Sequence, residues 1–187
     1  MKLRQICIGF VALTLVMGCA KPPTVEMDRA REAVFEAEND NDASQYGTGF
    51  LNRARTAVKN MEDAANSKRY DAAKNYAAEA VSLAEKAMTE GKAAAIRTKE
   101  EAASNLSGLR SEIEETGINV NAARYSQLDL DYDALDRGIK DAYVSYDQAE
   151  SSMSMGMYRD ALDKAMNVRA NLADINQKIT NAVPRRK

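Results

Sequence analysis

The sequence predicts an all-α protein: about five helices in elongated antiparallel hairpins, packed as a coiled-coil-like bundle. Three observations carry this expectation. Ala73, Ala77, Ala80, Ala84, Ala87, Gly91, Ala94 and Thr98 step alternately by four and three, which places them along one side of a helix. Ala161, Ala165, Val168, Leu172, Ile175, Ile179 and Ala182 repeat those steps near the carboxyl end. An average spacing of 3.5 is that of left-handed helical pairs, with Asp71, Lys74, Glu79, Glu85 and Lys86 left towards water. Finally, clusters of Asn, Asp, Ser and Gly break the periodic runs at intervals that suit short turns.

The amino terminus stands apart from this pattern. Lys2 and Arg4 precede an apolar stretch at residues 6–16, followed by Gly18, the charged, apolar and small-residue order of a secretory signal. Eleven residues at about 1.5 Å each fall well short of a hydrocarbon core of roughly 30 Å. Val16, Met17, Gly18 and Cys19 resemble the lipobox of bacterial lipoproteins, with Met17 larger than the residue usual there. The resemblance implies a signal peptide at residues 1–18, a diacylglycerol on the Cys19 sulfur, and a lipidated linker at residues 19–23. Ala20, where an aspartate would resemble an inner-membrane retention signal, favours the outer membrane of a Gram-negative host, with the chain facing the periplasm. Cys7 would leave with the signal, so acylated Cys19 would leave no free thiol in an oxidising compartment.

The elements behind the linker follow in order. Residues 24–116 are expected to form a first hairpin region. Thr24, the expected N-cap, opens a helix to Asn39, and the segment NDNDASQYGTG at residues 39–49 is expected as a loop. A second helix starts near Thr48 and carries Leu51, Ala54, Val58, Met61 and Ala65, ending at Asn66 and Ser67. A third is expected over residues 68–116, roughly 70 Å if continuous, with Gly91 and Gly108 as places to bend or split it. Gly117, in TGINVN, is the expected C-terminal cap. Residues 117–183 then form a second hairpin from helices at residues 121–153 and 158–183, and residues 184–187 a basic tail.

The layout fits either an internal repeat or one heptad pattern that aligns with itself at many shifts. A shift of 88 residues superposes Leu51 on Ile139, Ala54 on Ala142, Met61 on Ala149, Tyr70 on Tyr158, Ala73 on Ala161 and Ala77 on Ala165, so each half reads helix, turn, tyrosine, helix. The run from Gly156 through Tyr158 to Ala161 resembles the second helix of a tetratricopeptide repeat, although the full 34-residue signature is missing. AREAVFEAE at residues 30–38, QYGTGFLNRA at 45–54 and RYDAAKNYAAEAVSLAEKA at 69–87 resemble a family of bacterial lipoproteins with an alanine-rich helical domain of unknown function. That resemblance implies an envelope location and a helical hairpin, and it transfers no catalytic residue.

Composition narrows the function. Of the 26 basic and 28 acidic residues only Lys2 and Arg4 would leave with the signal, moving the net charge from −2 to about −4, which opposes nucleic-acid binding through phosphates. Histidine is absent, and with it the commonest general base and a usual zinc ligand. The sequence holds no G-x-S-x-G, P-loop or G-x-G-x-x-G, so the expectation is no enzyme, no cofactor and no metal. DLDYDALD at residues 129–136 places carboxylates as in a calcium loop, but Ala134 and Lys140 stand where glycine and glutamate belong, and a solvated acidic face is the better reading. Tyr125, Tyr132, Tyr143 and Tyr146 either line a groove or cap an alanine seam. The tail PRRK resembles the lysine-terminated end of Braun-type lipoproteins, which implies Lys187 as a wall-linking amine. A frayed basic terminus fits it as well.

Two functions remain from the sequence. One is a lipid-anchored structural or adaptor module facing an envelope protein or peptidoglycan, with self-association compatible with the same seams. The other is a periplasmic ligand- or substrate-binding lipoprotein beside a transporter. The assignment of faces has its own test: Ala77→Asp or Ala165→Asp is expected to cost several kcal/mol in urea unfolding, and Glu79→Gln almost nothing.

Overall fold

The computed structural model describes residues 21–183, and within them every regular element is a helix. These are α1 (Thr24–Asn39), α2 (Asn41–Tyr46), α3 (Thr48–Asn66), α4 (Tyr70–Leu106), α5 (Leu109–Tyr125), α6 (Tyr132–Ser154) and α7 (Tyr158–Ala182). The all-α expectation holds, and α1 and α3 run where the sequence places them, except that the N-cap of α1 is Pro23, with no side-chain cap bond, and Thr24 is already helical. The tail at residues 184–187 and the segment before Lys21 lie outside the described residues.

The helix α4 is the axis. Its 37 residues span about 55 Å at 1.5 Å each. On its first half pack α1, α2 and α3, and on its second half α6 and α7, with α5 continuing beyond it. Ion pairs give the directions. Arg31 meets Glu62 and Arg55 meets Glu38, so α1 and α3 are antiparallel. Glu26 lies 3.7 Å from Lys74, so α1 and α4 start at the same end. Arg169 meets Glu112 and Asn176 meets Asn119, which makes α5 and α7 parallel with α6 returning between them.

The first core is built mainly of methyl groups. Eleven of its sixteen buried residues are alanines, joined by Met27, Val34, Leu51, Met61 and Leu83. Ala73, Ala77, Ala80, Ala84, Ala87 and Gly91 are all buried, as their spacing predicts. Beyond Gly91 the seam shifts to Ala95 and Ala102, leaving Ala94 and Thr98 half-exposed, because a helix of 3.6 residues per turn drifts off a 3.5 repeat. The second half of the molecule uses larger side chains. Leu109, Ile113, Tyr146, Val168 and Leu172 fill one cluster, and Val120, Leu135 and Ile175 the next.

Several expected boundaries are corrected. The segment at residues 39–49 is not a loop: Asp40 accepts a hydrogen bond from the Ala43 amide at 2.7 Å, and that N-cap starts the short helix α2. Gly91 neither bends nor splits α4. It lets the α2 backbone in: a β-carbon there would sit 2.7 Å from the Asp42 carbonyl oxygen, and one on Gly47 would sit 2.3 Å from the Ala87 carbonyl oxygen. The break falls at Ser107 and Gly108, where φ is +75°. Gly117 caps nothing and lies inside α5, so the expected division at residues 116 and 117 cuts a continuous helix. The next break comes instead at residues 126–131, ahead of α6.

The 88-residue offset reaches into the turns. After α3, Lys68 at φ +57° gives its amide to Ala65 and Arg69 gives its amide to Ala64. After α6, Gly156 at φ +77° gives its amide to Met153 and Met157 gives its amide to Ser152. Both are Schellman-type C-caps, and each bond maps onto its counterpart 88 residues away. What differs is a clamp on the second turn only. Buried Ser152 donates to Asp160, and Lys164 pairs with Asp160, which holds that carboxyl below the usual range. Its contribution to stability is complete above the ordinary carboxylate value and is lost as pH falls through the lowered one.

Glycines of opposite consequence share these helices. Gly91→Ala is expected to destabilise the protein by about 1–3 kcal/mol through overpacking, despite the better helix propensity of alanine. At Gly117, where a β-carbon would meet no neighbour within 4 Å, the same change is expected to stabilise by up to about 1 kcal/mol. Thermal or urea unfolding of both variants reads the two signs.

Candidate functional site

The parallel pair α5 and α7 adds a polar seam to the apolar clusters it shares with α6. Thr116 is 2% exposed although polar. Its hydroxyl donates to the Glu112 carbonyl at 2.8 Å and accepts from the Asn176 amide at 3.0 Å, while Asn119 donates to Asn176 at 3.1 Å. These groups line a groove of about 350 Å³ with Glu112, Glu115 and Arg169 at its rim. A second groove, lined by Ala122, Leu128, Ile179 and Val183, shares Asn119 and Asn176 with it. The α5 to α7 surface is therefore a polar ladder that turns apolar towards the carboxyl end.

Arg169 anchors the other end of the ladder. Its guanidinium donates to the Asn105 and Ser107 carbonyls at 3.1 and 3.4 Å and pairs with Glu112 at 2.9 Å. Those two carbonyls belong to the end of α4, where helical partners run out. One side chain of α7 thus closes α4, holds α5 and bridges the break between them.

Another groove, of about 330 Å³, runs between α1 and α4, with an apolar floor of Ala77 and Val81 and charged walls from Glu26, Arg29, Lys74 and Glu85. Where α2 meets the start of α7, the Arg159 guanidinium lies 4.9 Å from the centroid of the Tyr46 ring. The Tyr46 hydroxyl is buried there without a hydrogen-bond partner among the described residues.

The residues singled out in the sequence scatter. Cys19 and Lys187, the expected lipidation and wall-linkage sites, lie outside the described residues. In DLDYDALD, Asp131 caps α6 by accepting from the Ala134 amide and Asp136 pairs with Arg124 at 2.6 Å, so these carboxylates have structural work. No group of three or more metal-ligating side chains forms among the described residues. The four tyrosines take different surroundings. Tyr125 is 91% exposed, Tyr132 donates to the Leu128 carbonyl under the Arg124 guanidinium, and Tyr143 edges the second core. Tyr146 is buried in that core and donates to Glu150 at 2.6 Å, and the carboxylate together with burial pushes its phenol up.

Sequence reading missed the polar ladder. Thr116 and Asn119 fell inside TGINVN, where the glycine read as a stop, and no motif links them to Asn176 some 60 residues away. The one available signal was their spacing of three with Glu112 four residues earlier, which puts all three on one side of a helix. Comparison finds no family model, no curated protein and no solved structure that matches this chain.

Removing the clamp measures it. Arg169→Gln is expected to cost about 1–3 kcal/mol in urea unfolding, because the α4 carbonyls lose a charged donor. Arg31→Gln breaks only exposed pairs and is expected to stay within about 1 kcal/mol.

Proposed function

We propose that this protein is a lipid-anchored cell-envelope module that presents a helical surface to an envelope partner at a set height above the membrane. The observation that supports it best is α4: one helix of 37 residues carries both halves of the molecule. The amino-terminal unit begins next to the lipobox-like segment, and the α5 to α7 ladder lies at the other end of the axis. A rod stiffened along its length holds two ends apart, as a spacer or adaptor requires. Among the described residues no helix is long and apolar enough to cross a membrane, so attachment in this reading falls to the acylated Cys19.

The far end offers a surface for the partner. Ile118, Tyr125 and Val183 are 67, 91 and 52% exposed there, and apolar groups left in water beside a polar rim are common at binding surfaces. Peptidoglycan is the alternative partner, through Lys187 just beyond α7. The groove between α1 and α4 favours the second reading, a ligand-binding lipoprotein beside a transporter, since its apolar floor and paired charges suit a small amphipathic molecule.

In cells, Cys19→Ala is expected to release the protein from the membrane fraction, and a photo-crosslinker at Tyr125 to trap a discrete envelope adduct. Capture of a small molecule by the purified protein, with no adduct in cells, would overturn the adaptor reading in favour of the second.

A further inference from the structure

We propose that the end of the first unit carrying Lys21, Val25, Lys68, Arg69 and Tyr70 rests on an anionic phospholipid surface and so fixes which way the rod points. The inference deepens the proposed function and rests on acylation of Cys19. It starts from Pro23. That proline is buried against the bundle while Lys21 and Pro22 are exposed, the Thr24 amide bonds back to the Pro22 carbonyl, and the Met27 amide to the Pro23 carbonyl. The chain is therefore fixed to the protein four residues after Cys19. Four residues reach about 14 Å at full extension, so an acyl-bearing Cys19 would hold this end within that distance of the headgroups.

The chemistry of the end matches such a surface. Glu26 on the first turn of α1 touches Lys74 on the second turn of α4, so both helices start at one level, beside the turn that joins α3 to α4. Lys68 and Arg69 form that turn. Both are exposed, and among the described residues neither has an ion-pair partner. With Lys21 they make three cations at the extremity against the exposed acids Asp63 and Asp71, Glu26 there being taken up by Lys74. Val25, on the first turn of α1 at this end, has 78% of its surface exposed, and Tyr70 is half-buried at the rim of a shallow groove of about 280 Å³ that Lys68 and Arg69 complete. Cations with an exposed apolar group and a tyrosine are what a headgroup layer takes, the charges meeting phosphate and the apolar groups the boundary below it. Lys68 occupies a φ of +57°, a position where glycine is the usual residue.

The test uses the full acylated protein in vesicles of zwitterionic lipid with about a third anionic phospholipid. Ser67→Cys and Ser107→Cys place single fluorophores at the two ends of α4, and headgroup-labelled quencher lipid reports proximity. Strong quenching at position 67 and little at 107 is expected, and Lys68→Gln with Arg69→Gln is expected to lower the first to its value in vesicles without anionic lipid. Equal quenching at both positions, or more at 107, would overturn the orientation. Quenching at 67 that ignores both the anionic lipid and the double substitution would overturn recognition of charge. Mass spectrometry of the same samples separates the premise: an unacylated terminus ends the anchor and the inference together, and an acylated one with position 67 unquenched ends only the inference.

Discussion

The structure depends on how closely other backbones approach α4. Small side chains along one side of that helix let its neighbours come in until main chain nearly meets main chain, as at Gly91 against Asp42 and Gly47 against Ala87. An alanine buries little area, so each contact gains little from the hydrophobic effect, and stability has to come from many short-range contacts in a dense seam. Such a seam tolerates no added bulk, and its length matters more than any single residue. This is why α4 is long and why α1, α2 and α3 are hung along it instead of around a central knot of large side chains.

The second half of the molecule answers the same problem in another way. Past Gly91 the small-residue seam drifts around α4, and the chain turns at Gly108 with leucine, isoleucine and valine taking over the core. Parallel helices α5 and α7 are not joined by a tight turn, so nothing local sets their register. Thr116, Asn119 and Asn176 do so by hydrogen bonds that pair only when the helices are at one height, with Thr116 buried and the two asparagines half-buried at the groove. Arg169 extends the same logic across the break in the axis. A buried polar layer is a known device for fixing register, and here it works alongside a capping cation.

Much of this was legible in the sequence, and the failures share a cause. Several helix ends fall where the breaks in periodicity put them: Asn39, Thr48 and Asn66, Tyr158 at the start of α7. The buried face of α4 followed from spacing up to Gly91. Errors came where a residue has two local meanings and tertiary packing decides between them. Gly117 can cap a helix or sit within one, and it sits within one because Ile113, Thr116 and Val120 around it are all buried against other helices. Asp40 can belong to a loop or cap a helix, and α2 forms because Ala43 and Gly47 have α4 to pack on. The Thr116 and Asn176 pairing was invisible because it joins residues far apart in sequence with no periodic signal between them.

The two anchoring devices, one proposed and one structural, work in series. A lipid on Cys19 constrains position only as tightly as the linker is short, and burial of Pro23 makes it short. Rigidity beyond that point is a matter of whether the axis holds through Gly108, where the backbone is free to turn. Arg169 closes that hinge by tying the carbonyls at the end of α4 to Glu112 on α5. In the proposed spacer, loosening either link would leave the helices folded but let the far surface wander: through an arc at the membrane in the first case, and through a bend at mid-molecule in the second. The proposed spacer would need both, and the chain has buried Pro23 at the first point and the Arg169 clamp at the second.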